Sequence, residues 1–210
     1  MDARRIRRLS HSVAALVLGF SALAHAQDEA GDPARLIEAL SLTRGMSIAE
    51  IGAGDGSLTI ALARHVGAEG QLLTTELGEE RVKALRTAVE RAKLPQIRVL
   101  PAAIDGTNLD AACCDVVVMR DVYHHFADPA VMNASLLDSL RPGGRLAILD
   151  FAPRDGKARA PSERADGDQH GVAREVLVSE LTAAGFTKVS VRSISGRRFM
   201  VIAERPAGSM

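Results

Sequence analysis

The sequence has few aromatic residues and no excess of charge of either sign. It contains no tryptophan, one tyrosine and five phenylalanines in 210 residues, so each aromatic position is informative. Lysine and arginine total 26, and aspartate and glutamate also total 26. Because domains that bind nucleic acids normally carry a basic surplus, this balance gives no reason to expect a nucleic-acid partner. The length and a hydrophobic content of 47% predict one globular domain.

Cysteine is also scarce, and the two cysteines, Cys113 and Cys114, are adjacent. They lack the ligand spacing of a zinc site, and no other spacing in the chain indicates a metal site. Adjacent cysteines rarely bridge each other, because the ring strains the intervening peptide bond, so we expect no disulfide here. The simplest interpretation is two small apolar residues entering a strand; a redox or thiophilic-metal role is the alternative.

An uncharged apolar run over residues 13–24 follows four arginines near the N-terminus, and Ala24-His25-Ala26 then gives a small-x-small pattern. This order is typical of a secretory signal peptide over residues 1–26, with cleavage predicted after Ala26. The run is shorter than the roughly 20 apolar residues of a membrane span. We therefore expect an exported, periplasmic protein without stable membrane insertion after cleavage; an uncleaved anchor is the alternative.

Predicted strands and helices alternate along the rest of the chain. The expected strands are residues 46–51, 71–77, 97–101, 115–121, 145–151, 188–194 and 198–204. The expected helices begin at Pro33 and span 57–66, 79–93, 129–140 and 172–184, with "RPGG" (141–144) closing the fourth and a polar, mobile loop at 153–168. Such alternation predicts a parallel sheet with helices on both faces. The last two strands are too close for a crossover helix, so they should form an antiparallel hairpin.

The first predicted strand ends in three glycines spaced two apart, within "AEIGAGDGSL" (49–58). In an open parallel sheet, ligands bind beyond the carboxyl ends of the strands, where glycine allows close backbone approach and a helix N-terminus offers free N–H groups. Ser57 occupies the place where the dinucleotide fingerprint requires glycine, and no P-loop Gly-Lys-Ser/Thr follows. Instead an acid, Glu50, precedes the glycines, and a second acid, Glu76, ends the next strand, where it can accept both ribose hydroxyls of a nucleoside.

With these motifs the sequence resembles the class I S-adenosylmethionine-dependent methyltransferases over nearly all of residues 33–205. Residues 50–56 resemble that family's first motif, and further similarity lies in residues 115–121, "LRPGGRLAILDF" (140–151) and "ELTAAGF" (180–186). The resemblance implies a Rossmann-like, doubly wound, mostly parallel seven-stranded sheet with a C-terminal antiparallel hairpin strand. It implies a methyltransferase domain at 46–205, preceded by a polar segment and helix at 27–45. It also implies S-adenosylmethionine as the cofactor, bound by the residues Glu50, Gly52, Gly54, Gly56, Glu76, Asp105 and Asp121.

One position departs from the family pattern. Members often carry an aspartate after the third strand that accepts from the adenine amino group, and Ala102 occupies that place here. Asp105 is the nearest substitute, and the alternative is that it is a turn residue before Gly106.

The segment "RDVYHHFAD" (120–128) follows the fourth strand and should border the same crevice. Tyr123, His124 and His125 are the candidate catalytic residues, because histidine is suited to accept a proton near neutral pH. Tyr123, Phe126 and Phe151 either line an adenine or acceptor pocket or cap the core. Asp121, Asp150 or His170 are the groups that could converge with the histidines. The loop at 152–171 is either a lid or a solvated connector.

Three functions remain open from the sequence. The first is an exported methyltransferase acting on a small-molecule acceptor. The second is an exported nucleoside- or S-adenosylmethionine-binding module without methyl transfer, because this cofactor is made in the cytoplasm. The third is a thiol- or metal-handling enzyme that uses Cys113 and Cys114.

Overall fold

The computed structural model describes residues 30–165, 167 and 169–208. Within these residues the strands are β1 Ser47–Ile51, β2 Gln71–Glu76, β3 Ile97–Pro101, β4 Cys114–Arg120, β5 Leu140–Phe151, β6 Thr187–Ser193 and β7 Arg198–Glu204. The helices are α1 Asp32–Ala39, α2 Ser57–Val66, α3 Glu79–Ala92, α4 Pro129–Ser139 and α5 Arg174–Ala183, with short 3₁₀ helices at Tyr123–His125 and Pro161–Glu163.

The seven strands form one sheet in the order β3-β2-β1-β4-β5-β7-β6. The first five strands pair in parallel, and β7 lies between β5 and β6, antiparallel to both. The predicted doubly wound, mostly parallel sheet with a C-terminal hairpin is therefore confirmed. The strand order reverses between β1 and β4, which places a topological switch point at their carboxyl ends.

Hydrophobic side chains cover both faces of the sheet. Leu62 of α2 and Leu85 of α3 belong to a cluster on one face, together with Leu36 and Leu40 from the first helical segment. Leu136 of α4 and the α5 leucines belong to the cluster on the other face. Residues of β1 alternate between these clusters, as expected for a strand buried on both faces.

The fourth helix shows how the sequence sets an element boundary. The Asp128 side chain accepts from the backbone N–H groups of Ala130 and Val131, and Pro129 follows as the first helical residue. This pairing caps two N–H groups that lack partners within the helix. The predicted start of this helix is confirmed. The predicted bounds of α2, β3 and β7 also agree with the structure.

The segment "RPGG" (141–144) differs from the prediction. It was expected to close a helix, but β5 already begins at Leu140, and its pairing with β4 is irregular between Cys114 and Val116. The backbone N–H of Gly143 donates to Arg205, and that of Arg205 donates to the carbonyl of Gly144. These partners come from the distant C-terminal segment, so the local sequence alone does not reveal them.

The expectation of a mobile loop at 153–168 is contradicted at Arg164, whose side chain is 3% exposed. Its guanidinium donates to both carboxylate oxygens of Glu180 on α5, at 2.6 and 3.1 Å. Its Nε also donates to the carbonyl of Arg159. A bidentate, buried contact of this kind fixes the segment against α5. The polar composition of the segment predicted a loop exposed to solvent. The sequence did not reveal that Arg164 would be buried, because its partner Glu180 lies on a separate helix.

The expectation that Cys113 and Cys114 remain unbridged is wrong in this structure, in which their sulfurs form a disulfide. Cys113 precedes β4, so its side chain is not held to the alternating faces of the strand and can turn toward Cys114. Cys114 is fully buried and begins β4, as predicted. The pair lies at the amino end of β4, opposite the edge where the glycines lie.

The predicted signal peptide lies outside the described residues. Among the residues from Ala30 onward that the structure describes, no helix combines the length and apolar character needed to cross a bilayer.

Candidate active site

The glycine turn lies between β1 and α2, at the switch point of the sheet. Gly52, Gly54 and Gly56 all have positive φ, between 56° and 78°. A side chain at Gly52 would meet Val122, and one at Gly56 would meet Leu85, so packing alone requires glycine at both positions. A Cβ at Gly54 would meet nothing within 4 Å. Open space therefore lies over the middle glycine, which suits close approach by a ligand.

Glu76 at the end of β2 contacts this turn directly. Its carboxylate accepts from the backbone N–H of Gly54 at 2.6 Å and from that of Leu77 at 2.9 Å. Arg81 is the nearest cation, at 3.8 Å, and the side chain of Glu76 is only 7% exposed. The structure thus brings together the glycines and the second acid, which lie 22 residues apart in the chain.

Glu50 is buried beneath that surface. It accepts a hydrogen bond from the Thr59 hydroxyl of α2, which also lies 3.0 Å from the Thr74 hydroxyl of β2. Burial raises the pKa of Glu50 to about 7, and the Thr59 hydrogen bond opposes this rise. Glu50, one of the predicted cofactor ligands, therefore lies beneath the glycine turn and is buried in the protein.

The segment after β3 is less polar than the resemblance implies. Ala102 donates its backbone N–H to the backbone carbonyl of Glu76 and offers no side-chain acceptor there. Asp105 is exposed on the loop after β3. Two large apolar side chains at this edge, Leu77 and Ile104, are 48% and 84% exposed. Sequence reasoning missed both as site residues: Leu77 directly follows β2, and Ile104 lies three residues after the end of β3.

Tyr123 is a core residue in the structure. Its ring is fully buried, and its hydroxyl donates to Glu180 and accepts from Asn133, each at 2.9 Å. Burial raises the pKa of this hydroxyl far above its usual range. The geometry therefore supports a structural role for Tyr123 and gives the expected catalytic role no support. Phe126 is likewise buried in the core.

His124 is paired with Asp150, the residue before the last of β5. The imidazole Nδ1 lies 2.9 Å from one carboxylate oxygen, and the backbone N–H of His124 donates to the other at 3.2 Å. Phe151 donates its N–H to the same carboxylate at 2.8 Å. Because a carboxylate only accepts, Nδ1 carries the proton in this pair and Nε2 is left as the basic nitrogen.

An aromatic cluster surrounds that dyad. The rings of His125, Phe151 and His170 have centroids 4.0, 4.8 and 6.0 Å from that of His124. His125 is exposed, whereas His124 is buried. Of the three groups expected to converge with the histidines, Asp150 and His170 do so. No three His, Cys, Asp or Glu side chains among the described residues are grouped to hold a metal ion.

Asp121 immediately follows β4 with φ of 55° and donates its N–H to Leu149 of β5. Its carboxylate lies 3.8 Å from the guanidinium of Arg198 at the start of β7. The structure therefore directs Asp121 toward the β5–β7 side and not toward Glu76. Arg197, the residue before Arg198, has its guanidinium over the Phe151 ring, 5.2 Å from the centroid. Sequence reasoning missed Arg197, which lies between the last two predicted strands.

A surface cavity of about 440 Å³ lies between α4 and α5, away from this edge. Alanines and prolines form most of its wall. Its two carboxylates are already engaged, Asp128 as a helix cap and Glu180 by Arg164 and Tyr123. Ligand sites need polar groups that fix orientation, so the carboxyl edge of the sheet is the better candidate.

Comparison with known proteins relates the chain to methyltransferases. A family model described as a methyltransferase domain matches residues 49–148. The ubiquinone/menaquinone biosynthesis C-methyltransferase of Idiomarina loihiensis is 25% identical over 185 residues, which cover 76% of this chain and 74% of that protein.

Solved structures show the same fold. A SAM-dependent methyltransferase from Aquifex aeolicus superposes with a TM-score of 0.72 at 22% identity, covering 83% of this chain and 89% of that one. The [4+2]-cyclase SpnF gives 0.74 at 16% identity, covering 88% and 83%. The matched domain and these relatives together support a class I methyltransferase with S-adenosylmethionine as its cofactor.

Proposed function

We propose that this chain is an exported methyltransferase that transfers the methyl group of S-adenosylmethionine to a small-molecule acceptor. The observation that carries the proposal is the contact between Glu76 and the N–H of Gly54, with open space over that glycine. A strand-end carboxylate beside a glycine turn at a switch point is the arrangement that binds a nucleoside. The relative from Idiomarina loihiensis, a C-methyltransferase of quinone biosynthesis by name, is compatible with a small acceptor.

The residues at the carboxyl edge fit this cofactor. Glu76 would accept from the ribose hydroxyls, and Leu77 and Ile104 offer apolar surface for the base. The backbone from Gly52 to Gly56 would lie against the methionine portion, where the first N–H groups of α2 also point. When bound, S-adenosylmethionine supplies a methyl group already activated as part of a sulfonium cation.

The chain's own contribution is then alignment, exclusion of water and, for a protic acceptor, proton removal. Alignment of two reactants is worth up to about 7–11 kcal/mol. His124 is the best placed base, because Asp150 fixes its ring through Nδ1 and leaves Nε2 as the nitrogen that can accept a proton. His125 is exposed, so it is less suited to this role. The Tyr123 hydroxyl is already hydrogen-bonded to Glu180 and Asn133.

Calorimetry with S-adenosylmethionine and S-adenosylhomocysteine tests the binding site. We expect Gly54→Val to abolish binding, because its side chain would fill the open space over the turn. Gly45→Val is the matched control, since Gly45 also has positive φ and open space but lies before β1 at the opposite edge. Glu76→Ala should weaken binding by about 1–3 kcal/mol through lost hydrogen bonds to a charged group. Unchanged affinity in both site variants would place the pocket elsewhere.

Release of S-adenosylhomocysteine in the presence of cell extract tests turnover. Binding without release would favour the second candidate, an exported binding module without methyl transfer. One observation favours keeping that candidate: a protein described as a [4+2]-cyclase shares this fold with a TM-score of 0.74. The fold therefore accommodates chemistry other than methyl transfer.

A further inference from the structure

The antiparallel strand β7 brings basic residues to the edge of the sheet where catalysis is proposed. Arg198 begins β7 and pairs with Phe151, the last residue of β5. The preceding residue, Arg197, therefore lies beside the carboxyl ends of the parallel strands. β7 is three positions from β1 in the sheet, which places this group about 14 Å from the glycine turn at the usual strand spacing.

The Arg197 side chain is held in place. Its guanidinium lies over the Phe151 ring at 5.2 Å, and one terminal nitrogen donates to the carbonyl of Ala152 at 2.6 Å. The same ring contacts His124 at 4.8 Å and the edge of His170 at 5.0 Å. The Phe151 ring thus lies between a fixed cation and the buried candidate base.

This surface carries positive charge that the described residues do not neutralise. Burial lowers the pKa of Arg197, and the positive charge of Arg154 lowers it further. Among the residues that the structure describes, no carboxylate forms an ion pair with Arg154 or Arg197. Three nearby acids contact other groups: Asp150 contacts His124, Asp155 contacts Arg159, and Asp121 lies 3.8 Å from Arg198. Arg154 follows two residues after Ala152, whose carbonyl accepts from Arg197, so the two arginines lie at the same end of the sheet. Two guanidinium groups at one edge form a favourable site for an anion that contacts both.

We propose that Arg197 and Arg154 bind an anionic group of the methyl acceptor, a carboxylate or a phosphate, while Phe151 and His170 contact its apolar part. This inference rests on the proposed function and specifies the acceptor's chemical class. The guanidinium of Arg197 retains nitrogens for a two-point contact with such a group. The reacting atom of the acceptor then lies toward His124, between this surface and the glycine turn.

Chemical-shift titrations of the full-length protein with small probes test the proposal. Benzoate and phenyl phosphate are the charged probes, and benzamide and benzyl alcohol are the neutral ones, each added with S-adenosylhomocysteine present. We expect the charged probes to bind about tenfold or more tightly than the neutral ones, since hydrogen bonds to charged groups carry the difference. Arg197→Gln should remove this preference, and Arg197→Lys should keep part of it.

Arg91→Gln on α3 is the control, because it removes one exposed arginine far from β7. Arg154→Gln provides a second variant at an exposed position and should weaken the charged probes alone. Equal binding of charged and neutral probes by the unmodified protein, or an equal loss in Arg91→Gln, would overturn the proposal. So would a loss of S-adenosylhomocysteine affinity in Arg197→Gln without a change in the probes, which would assign Arg197 to the cofactor.

Failure of S-adenosylhomocysteine to bind the unmodified protein would instead count against the proposed function. In that case the probes are titrated without S-adenosylhomocysteine, and their relative affinities still test the anion site at Arg197.

Discussion

Glu50 is a buried carboxyl that accepts a hydrogen bond from the Thr59 hydroxyl. Its pKa is raised from 4.5 to about 7, chiefly because burial penalises the charged form. A group whose pKa is raised on folding binds protons more tightly in the folded state than in the unfolded state. Its contribution to stability is therefore complete below about pH 4.5 and is lost as the pH rises through 7.

We expect Glu50→Gln to be more stable than the unmodified protein at pH 8, by about 3 kcal/mol, and nearly equal to it at pH 4.5. Urea unfolding at several pH values measures the free energy of unfolding of both proteins. The contributions of other titrating groups cancel in the difference between them. Glu69→Gln is the control, because Glu69 is an exposed partner of Arg44. A Glu50→Gln difference that stays constant between pH 5 and 8 would show that Glu50 titrates normally.

Three neighbouring residues illustrate what the sequence could not resolve at this scale. Tyr123, His124 and His125 were equivalent candidates, but a 3₁₀ helix turns each toward a different environment. Tyr123 enters the core, His124 meets Asp150, and His125 remains exposed. The partner that selects His124 is 26 residues away on another strand. The sheet register between β4 and β5 places Asp150 beside His124, and this register is not visible in the sequence of residues 123–125.

Among the elements, the segment after β5 is joined to α5 by the buried ion pair between Arg164 and Glu180. Arg164 is 3% exposed in its side chain, and Glu180 is 23% exposed. Glu180 also accepts from Tyr123, so α5, the 3₁₀ helix and this segment share one carboxylate. Removing one partner of a buried pair is costly because it leaves the other charge uncompensated.

We expect an asymmetry between the two partners. Glu180→Gln should cost about 3 kcal/mol, because it leaves the buried guanidinium of Arg164 unpaired. Arg164→Met should cost less, since the Glu180 carboxylate retains some water and the Tyr123 hydroxyl. Chemical unfolding measures both, and faster trypsin cleavage at Lys157 should report release of the segment. Arg159→Gln, which breaks the exposed pair with Asp155, serves as the control; an equal effect there would refute this role for Arg164.

At the scale of the whole molecule, the strand alternation and the hairpin were sufficient to predict the sheet. Buried strands such as β4 and amphipathic helices such as α3 can be predicted from their own residues, because each has a characteristic apolar pattern. The position of Glu76 at the same edge as the glycine turn also followed, since parallel strands end together, whereas their direct hydrogen bond did not. Arg197 and the "RPGG" segment did not follow, because their partners come from chain segments that only the folded sheet brings near.

Export is the remaining proposal about the molecule as a whole. Fusing residues 1–30 to alkaline phosphatase lacking its own signal should give an active reporter outside the cytoplasm. Replacing the four arginines at positions 4, 5, 7 and 8 with glutamate should reduce this activity strongly, because a basic segment precedes the apolar run in signal peptides. A fusion of residues 30–60, which include the glycine turn but not the apolar run, is the control and should be inactive. Equal activity of the control and the first fusion, or an inactive first fusion, would place the protein with the cytoplasmic pool of its cofactor.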